Sequence, residues 1–187
     1  MIKAIKEFTN FAETKKQLEM RSEDYCGWVS GSWIQEEFIH VDEIPSEIKL
    51  PRRYAFRYMK ITVLETSPKF QVNIDGVECT TVTSADCSRP DSFAAGDAML
   101  DRIYGVSRHT LANCMQDVFE DGPKRDRRLW VGDLRLEALA SYATFRNYDL
   151  VKRCLYLFGG SRFPDGRVSA CLFTKPEVWA DDTYMFD

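Results

Sequence analysis

Residues 121–133 read DGPKRDRRLWVGD and lie between two stretches whose apolar residues recur with helical spacing. Three Asp and four cationic residues surround the only Trp of this segment, Trp130. That composition does not suit a buried core, and functional residues often lie on loops that a rigid scaffold holds in place. The segment therefore fits a polar pocket for a ligand rich in hydroxyl groups. It also fits a solvated loop between two helices, because charge runs usually face water.

The sequences around this segment predict three helices from spacings of three and four between apolar residues. The first helix would begin after a capping residue, Ser92 or Asp97, and run towards Phe119. The second would follow the charged segment. Asn147 would cap the third helix, and Gly159–Gly160 would stop it. The residues of the third helix predicted to face inward are Tyr148, Val151, Leu155 and Phe158.

The N-terminal half of the chain predicts a small antiparallel sheet preceded by a helical segment. Apolar residues at spacings of three predict the helical segment within 2–20. Residues 52–65 alternate between two faces, which is typical of a strand, and 69–84 predict a two-stranded hairpin around Asp75–Gly76. Residues 27–39 fit either a strand or an irregular packed segment.

Together these elements predict an α+β fold. A small antiparallel β-sheet, of the kind that ends a β-sandwich, would occupy residues 1–90, and helices would follow over 91–187, with the boundary at Pro90. A short strand or extended segment is expected at 168–173, after a turn at 164–166.

Composition excludes several classes of function. Hydrophobic residues make up 44% of the chain and charged residues 29%, which is ordinary for a soluble globular protein. The net charge of −4 and the pI of about 5.3 argue against a general nucleic-acid binder. No apolar run reaches the roughly 18 residues of a membrane span. The start, MIKAIKEFTN, lacks the apolar core of a signal peptide, which favours a cytoplasmic location.

The six cysteines give no sign of a metal site. They include no C-x-x-C pair and no spacing with His that would suit zinc. Cys114 and Cys154 fall on apolar faces of predicted helices and are expected to be small core residues. Free thiols are favoured over disulfides, although the even number of cysteines permits pairing. Neither a Gly-rich phosphate loop nor an H-E-x-x-H motif is present, and we expect no cofactor.

The charged segment resembles the signature of the α-L-rhamnosidases of glycoside hydrolase family 78, whose pattern runs Asp-Cys-Pro-x-Arg-Glu-Arg-x-Gly-Trp-x-Gly-Asp. Seven positions match it without a gap: Asp121, Pro123, Arg125, Arg127, Trp130, Gly132 and Asp133. Gly122 replaces the Cys, and Leu129 replaces the Gly before the Trp. Asp126 stands where many members carry the general-acid Glu, which keeps the carboxylic acid but shortens its reach by one methylene.

The resemblance extends from about Arg53 onwards, and it implies β-sandwich domains followed by a six-hairpin (α/α) barrel. Residues 1–90 would be the end of a sandwich-type domain, and 91–187 would be the first part of the barrel. The sequence is therefore expected to be a fragment. Helices that normally bury a face against further helices would expose apolar surface, which predicts self-association or cover by the rest of the barrel.

Family 78 enzymes are inverting glycosidases, so the resemblance implies hydrolysis of terminal α-L-rhamnosyl residues. Inversion needs a carboxylic acid for the leaving oxygen and a carboxylate for the attacking water, separated by roughly 6.5–9.5 Å. Asp126 stands at the position of the acid. The base has no counterpart in this sequence, because neither Glu137 nor Glu177 matches the family pattern. The chain is therefore expected to be inactive alone.

The other motif residues would bind a rhamnose-containing glycoside. Asp121 and Asp133 would accept hydrogen bonds from sugar hydroxyls, since ionised carboxylates are acceptors only. Trp130 would offer a flat wall to the sugar ring and its methyl group, and Arg125 would line the same site.

Each role has a structural alternative. Asp133 precedes a predicted helix and could be its N-cap, and Trp130 could be a core ring. Residues 121–123 could form only a turn, and Arg125 could belong to a structural ion pair. The chain could also be a non-catalytic carbohydrate-binding or assembly module that retains the motif.

Overall fold

A computed structural model of the chain describes residues 5–28, 31–66, 68–69, 71–88 and 93–181. The chain divides into two compact units, which meet in sequence between Cys79 and Thr80. Pro90 and Ser92, the predicted boundary and one of the two predicted helix caps, lie outside the described residues. Within those residues no helix is long and apolar enough to cross a membrane.

The N-terminal unit contains an antiparallel sheet. Its strands are β1 (Ile5–Ala12), β2 (Gln35–Val41) and β3 (Tyr58–Glu65), in the order β2-β1-β3. In the central strand, Phe8 pairs with Phe38 of β2 and with Thr62 of β3. Two short 3-10 helices, Lys15–Glu19 and Gly31–Trp33, lie in the connection between β1 and β2.

The helical segment predicted within 2–20 is wrong over Ile5–Ala12, which forms the central strand. Residues 8–12 are all buried, and the amide of Asn10 donates a 2.9 Å hydrogen bond to the carbonyl of Met20. Hydrogen bonding to a strand on each side outweighs the local apolar spacing, because tertiary context routinely overrides a weak helical preference.

The other strand predictions have different outcomes. The strand expected within 52–65 is confirmed as β3, and the segment 27–39 enters a strand, β2, at Gln35. The hairpin expected at 69–84 is wrong, because the described part of that range contains no strand. Three apolar residues of this range, Ile74, Val77 and Val82, remain about half exposed. An alternating pattern needs a packed layer on one face, and an isolated hairpin is marginal in water.

The described helices of the C-terminal unit are α1 (Ala98–Cys114), α2 (Val131–Ala143) and α3 (Tyr148–Gly160). Two predicted caps are confirmed: the Asp97 carboxylate accepts hydrogen bonds from the first turn of α1, and the Asn147 side chain accepts one from the first turn of α3. The first helix ends at Cys114, well before Phe119. Met115 and Phe119 pair across a tight turn instead, which changes the chain direction after α1.

The inward face of α3 differs in part from the prediction. Val151 and Phe158 are buried as expected, whereas Tyr148 and Leu155 are more than half exposed. The buried residues of this helix are Leu150, Val151, Cys154 and Phe158. These positions recur at spacings of three and four along one face of α3. The apolar surface of the helix is wider than this buried face, so Tyr148 and Leu155 remain exposed.

A second antiparallel sheet holds the end of the charged segment. Its strands are β4 (Leu129–Trp130), β5 (Cys171–Phe173) and β6 (Trp179–Asp181), in the order β4-β5-β6. The short strand expected at 168–173 is thus confirmed as β5. Leu129 pairs with Leu172, and both belong to the core of the unit. The core placement of Cys114 and Cys154 is also confirmed, and neither of the two forms a disulfide.

Large apolar side chains remain exposed on the helices of the C-terminal unit. On α1, only the last turns contribute to the core, and the side chains more than half exposed are those of Met99, Leu100, Ile103 and Val106. Further examples are Leu136 and Leu139 on α2 and Leu155 and Tyr156 on α3. The apolar exposure predicted from the sequence is therefore confirmed.

Candidate active site

The charged segment forms a loop that Asp121 closes with its own side chain. The Asp121 carboxylate accepts a 3.0 Å hydrogen bond from the backbone N–H of Arg128 and lies 3.5 Å from the backbone nitrogen of Asp126. The Asp121 backbone N–H in turn donates to the carbonyl of Arg128 at 3.1 Å. One carboxylate therefore fixes both the end of the loop and the position that carries Asp126.

Two further residues make this loop tight. A Cβ atom at Gly122 would overlap the backbone carbonyl oxygen of Arg125, so the loop accommodates only glycine there without moving. Arg127 adopts a φ of 62°, and its Nε donates a 2.7 Å hydrogen bond to the carbonyl of Pro123. The Gly that replaces the family Cys is thus a requirement of this backbone.

Asp126 is presented on the outside of the loop. Its side chain is 35% exposed, and its Oδ1 lies 4.0 Å from Nε of Arg125, whose side chain is 46% exposed. An exposed pair at that distance contributes little to stability. The carboxyl of Asp126 is therefore open to a ligand, and Arg125 lies close enough to contact the same ligand.

The strand and helix that follow the loop position Trp130 and Asp133. The N-cap alternative for Asp133 is wrong, because α2 begins at Val131 and its N-cap is Trp130, whose side chain makes no capping hydrogen bond. Asp133 is exposed in the first turn, where the positive end of the helix dipole favours a negative charge. Trp130 is only partly exposed, between the buried neighbours Leu129 and Val131.

A further carboxyl group, that of Glu137, joins this site one helical turn after Asp133. Its Oε2 atom is shielded from solvent and has no hydrogen-bond partner among the residues that the structure describes. Burial raises the pKa of Glu137 to about 8, and the charges of Asp133, Asp121 and Glu120 act in the same direction. The carboxyl is therefore mostly protonated at neutral pH.

Four carboxyl groups thus come together at this end of the unit. They belong to Glu120, Asp121, Asp133 and Glu137. Glu120 is buried. Burial also raises the pKa of Asp121, more strongly than its backbone hydrogen bonds lower it, because its oxygens face the loop backbone although part of the residue is exposed.

Sequence reasoning found only part of this cluster. It named Glu137 as an available carboxylate without a role, and it missed Glu120. The spacing of four between Asp133 and Glu137 on a predicted helix is the signal that could have linked them. Glu177, the other carboxylate considered, is exposed between β5 and β6.

The cluster does not resemble a metal centre. In the described ranges, no group of three or more His, Cys, Asp or Glu side chains is arranged to hold a metal ion. Carboxylates that bind no metal can accept hydrogen bonds from hydroxyl groups or transfer protons. The exposed carboxyl groups of Asp126 and Asp133 have the chemistry to do both for a sugar.

Comparisons with known proteins match both parts of the chain to one family. Residues 7–81 match the glycosyl hydrolase family 78 alpha-rhamnosidase N-terminal domain, and residues 88–185 match the bacterial alpha-L-rhamnosidase 6 hairpin glycosidase domain. The chain is 29% identical over 97 residues to an alpha-L-rhamnosidase from Formosa agariphila, which covers 52% of this chain and 9% of that protein.

A solved structure shows the same relationship over nearly the whole chain. It is a rhamnosidase from Klebsiella oxytoca with rhamnose bound, 49% identical to this chain, with a TM-score of 0.90. The match covers 97% of this chain and 35% of that one. The α+β fold thus corresponds to a rhamnosidase N-terminal domain followed by the start of the helical domain. The chain belongs to the α-L-rhamnosidases of glycosyl hydrolase family 78.

Proposed function

We propose that this chain forms the rhamnose-recognition part of an inverting glycosidase that removes terminal α-L-rhamnosyl residues. The observation that carries the proposal is the placement of Asp126. Its carboxyl is exposed on a loop that Asp121 closes. Burial raises the pKa of Asp121, and both Asp126 and Asp133 lie close enough for their charges to act in the same direction. The partly exposed Trp130 follows the same loop in the sequence. The 49% identical relative that was solved with rhamnose bound supports the same ligand class.

In this proposal Asp126 is the general acid. It gives its proton to the glycosidic oxygen as the bond to the anomeric carbon breaks, so that the aglycone leaves as a neutral alcohol. Asp is one methylene shorter than Glu, so the loop must bring the backbone closer to the sugar. The hydrogen bonds between Asp121 and the loop hold the backbone of Asp126 for this purpose.

The other motif residues bind the sugar. Asp133 is exposed and accepts hydrogen bonds from adjacent hydroxyls, and the free lone pairs of Asp121 add to them. Trp130 packs its partly exposed ring against the apolar face of the sugar. Arg125 lies beside Asp126 and donates to a hydroxyl or to the ring oxygen.

The catalytic base is the missing component. A base must be ionised to activate water, and Glu137 is mostly protonated at neutral pH and shielded from solvent. We propose that the base belongs to another part of the enzyme, since the match covers only 35% of the solved relative. The 187-residue chain should therefore bind rhamnose without hydrolysing rhamnosides.

Ligand-observed NMR of the chain with L-rhamnose, D-mannose and D-galactose tests the proposal. We expect selective signals for L-rhamnose. The affinity for L-rhamnose should fall about tenfold in Asp133→Ala, which corresponds to a loss of roughly 1.4 kcal/mol of binding free energy. Asp149→Ala is the matched control, because Asp149 is also exposed in the first turn of a helix, α3. Equal signals for all three sugars, or none for rhamnose, would refute the proposal.

A non-catalytic carbohydrate-binding module remains the second candidate, because the base is not among the residues of the site. Asp126→Asn separates the two in an enzyme that contains the whole barrel. A general acid loses most of its turnover in this variant while rhamnose affinity is kept, because proton transfer contributes on the order of 10²–10⁴-fold. Unchanged turnover would favour the binding module.

A further inference from the structure

Glu137 and Asp133 lie on one face of α2, because residues four apart on a helix are neighbours. Helical side chains lean towards the N-terminal end of their helix, so the Glu137 carboxyl lies over the turn that carries Asp133. Its Oε2 atom is enclosed and lacks a hydrogen-bond partner within the described residues. A polar group of this kind is costly to bury, which calls for a functional explanation.

The titratable groups around Glu137 come from its own helix and from two neighbouring elements. Asp133 precedes it on α2, and Glu120 and Asp121 lie on the segment after α1. On α3, the thiol of Cys154 feels the charge of Glu137, and burial raises the pKa of that thiol to about 11. Cys154 therefore stays neutral at physiological pH, and the charges that act on Glu137 are those of carboxylates.

We propose that Glu137 is a positioning residue of the sugar site, which acts in its protonated form and weakens sugar binding when it ionises. The inference rests on the proposed function, because that function assigns Asp133 and Asp121 to sugar hydroxyls.

Two states of Glu137 have opposite effects on its neighbours. Protonated, Glu137 adds no charge next to Asp133 and Asp121. Ionised, it is an acceptor only and repels Asp133 and Asp121. Because hydrogen bonds to the loop hold Asp121, it is the side chain of Asp133 that turns away from the sugar. The proton that Glu137 loses goes to solvent, so no further reactant is required.

The test is the affinity of the 187-residue chain for L-rhamnose from about pH 6 to about pH 10, measured by NMR titration. We expect the affinity of the wild-type chain to fall about tenfold, with a midpoint near 8. Glu137→Gln should keep its neutral-pH affinity across the range, because an amide does not titrate. Glu177→Gln is the control, since it removes an exposed carboxylate and should retain the alkaline loss.

A second readout does not depend on sugar. The carboxyl ¹³C signal of Glu137, identified by its absence in Glu137→Gln, should titrate well above the ordinary range of glutamate. Circular dichroism at each pH shows whether both variants remain folded.

The possible results are distinguishable. An alkaline loss that persists in Glu137→Gln, or an ordinary titration of the Glu137 carboxyl, overturns the inference and leaves the proposed function intact. A wild-type chain that binds no rhamnose at any pH refutes the proposed function, and the inference falls with it.

Discussion

The carboxylate of Asp121 accepts a 3.0 Å hydrogen bond from the backbone N–H of Arg128, seven residues further along the chain. This contact closes the loop that carries Asp126, and it explains why the first residue of the motif is an acceptor. The motif thus combines Asp121, which fixes the loop, with Asp126, which the loop exposes to solvent. A carboxylate at 121 has a structural role before any sugar is bound.

Removing that carboxylate should loosen the loop. Asp121→Ala is expected to lower the free energy of unfolding by about 1–2 kcal/mol, because the backbone N–H of Arg128 loses its acceptor. Asp121→Asn keeps one acceptor oxygen and should lose less. Urea denaturation measures the change, and hydrogen exchange at Arg128 shows where it occurs. Equal stability of Asp121→Ala and wild type would mean that the loop does not depend on this bond.

The pH dependence of stability should report Glu137. Its pKa is about 8 in the folded chain, against an ordinary value of 4.5 for a glutamate in water, so the folded state binds the proton more tightly. The stabilisation that the neutral carboxyl provides is complete below about pH 4.5 and is lost as pH rises to about 8. Above that pH the stability no longer changes because of this group.

Glu137→Gln removes the titrating carboxyl and should be more stable than wild type at pH 7. The expected gain is roughly 1–3 kcal/mol, which discounts the pKa shift for the partial exposure of the side chain. Denaturation of both proteins from about pH 5 to about pH 9 gives the difference curve, roughly flat above about pH 8. A difference that does not change with pH would contradict the raised pKa of Glu137.

Gly122→Ala should disturb the loop selectively. The new Cβ would overlap the carbonyl oxygen of Arg125, so the backbone has to move, at a cost of about 1–3 kcal/mol in stability. Rhamnose affinity should fall with it. Gly159→Ala on α3 is the control, because a Cβ there meets open space and alanine favours a helix. Equal effects of the two substitutions would argue against a tight loop.

The exposed apolar face of α1 should drive association of the isolated chain. Ile103 and Val106 are more than half exposed on this helix, and we expect sedimentation velocity to show oligomers that grow with concentration. Ile103→Lys should reduce them. Val77→Lys is the matched control, because Val77 is similarly exposed but lies in a segment without secondary structure. A chain that stays monomeric at all concentrations would contradict this prediction.

The sequence predicted best where a local signal is strong. Asp97 and Asn147 are helix caps in the structure as expected, because a short polar side chain at a helix start satisfies free backbone N–H groups whatever surrounds it. The strand at Tyr58–Glu65 was visible from its alternation. These signals depend on chemistry within a few residues and need no knowledge of the rest of the fold.

Prediction from the sequence failed where the secondary structure depends on residues far away along the chain. The spacing of apolar residues in Ile5–Ala12 suggests a helix, but strands on both sides convert it into the centre of a sheet. The alternation at 69–84 suggests a hairpin, but no packed layer covers Ile74 or Val77. Strand pairing is a long-range interaction, and local periodicity reports it only indirectly.

At the site, too, some features follow from the local sequence and others depend on the tertiary structure. By itself, the sequence determined which residue types are present at 121–133, and their spacing indicated the family and the sugar-binding candidates. Only the tertiary structure decided that Asp121 closes the loop and that Glu137 joins the site. The pKa of Glu137 depends on burial and on charges that folding brings together from separate elements, and the chain order of the residues contains neither quantity.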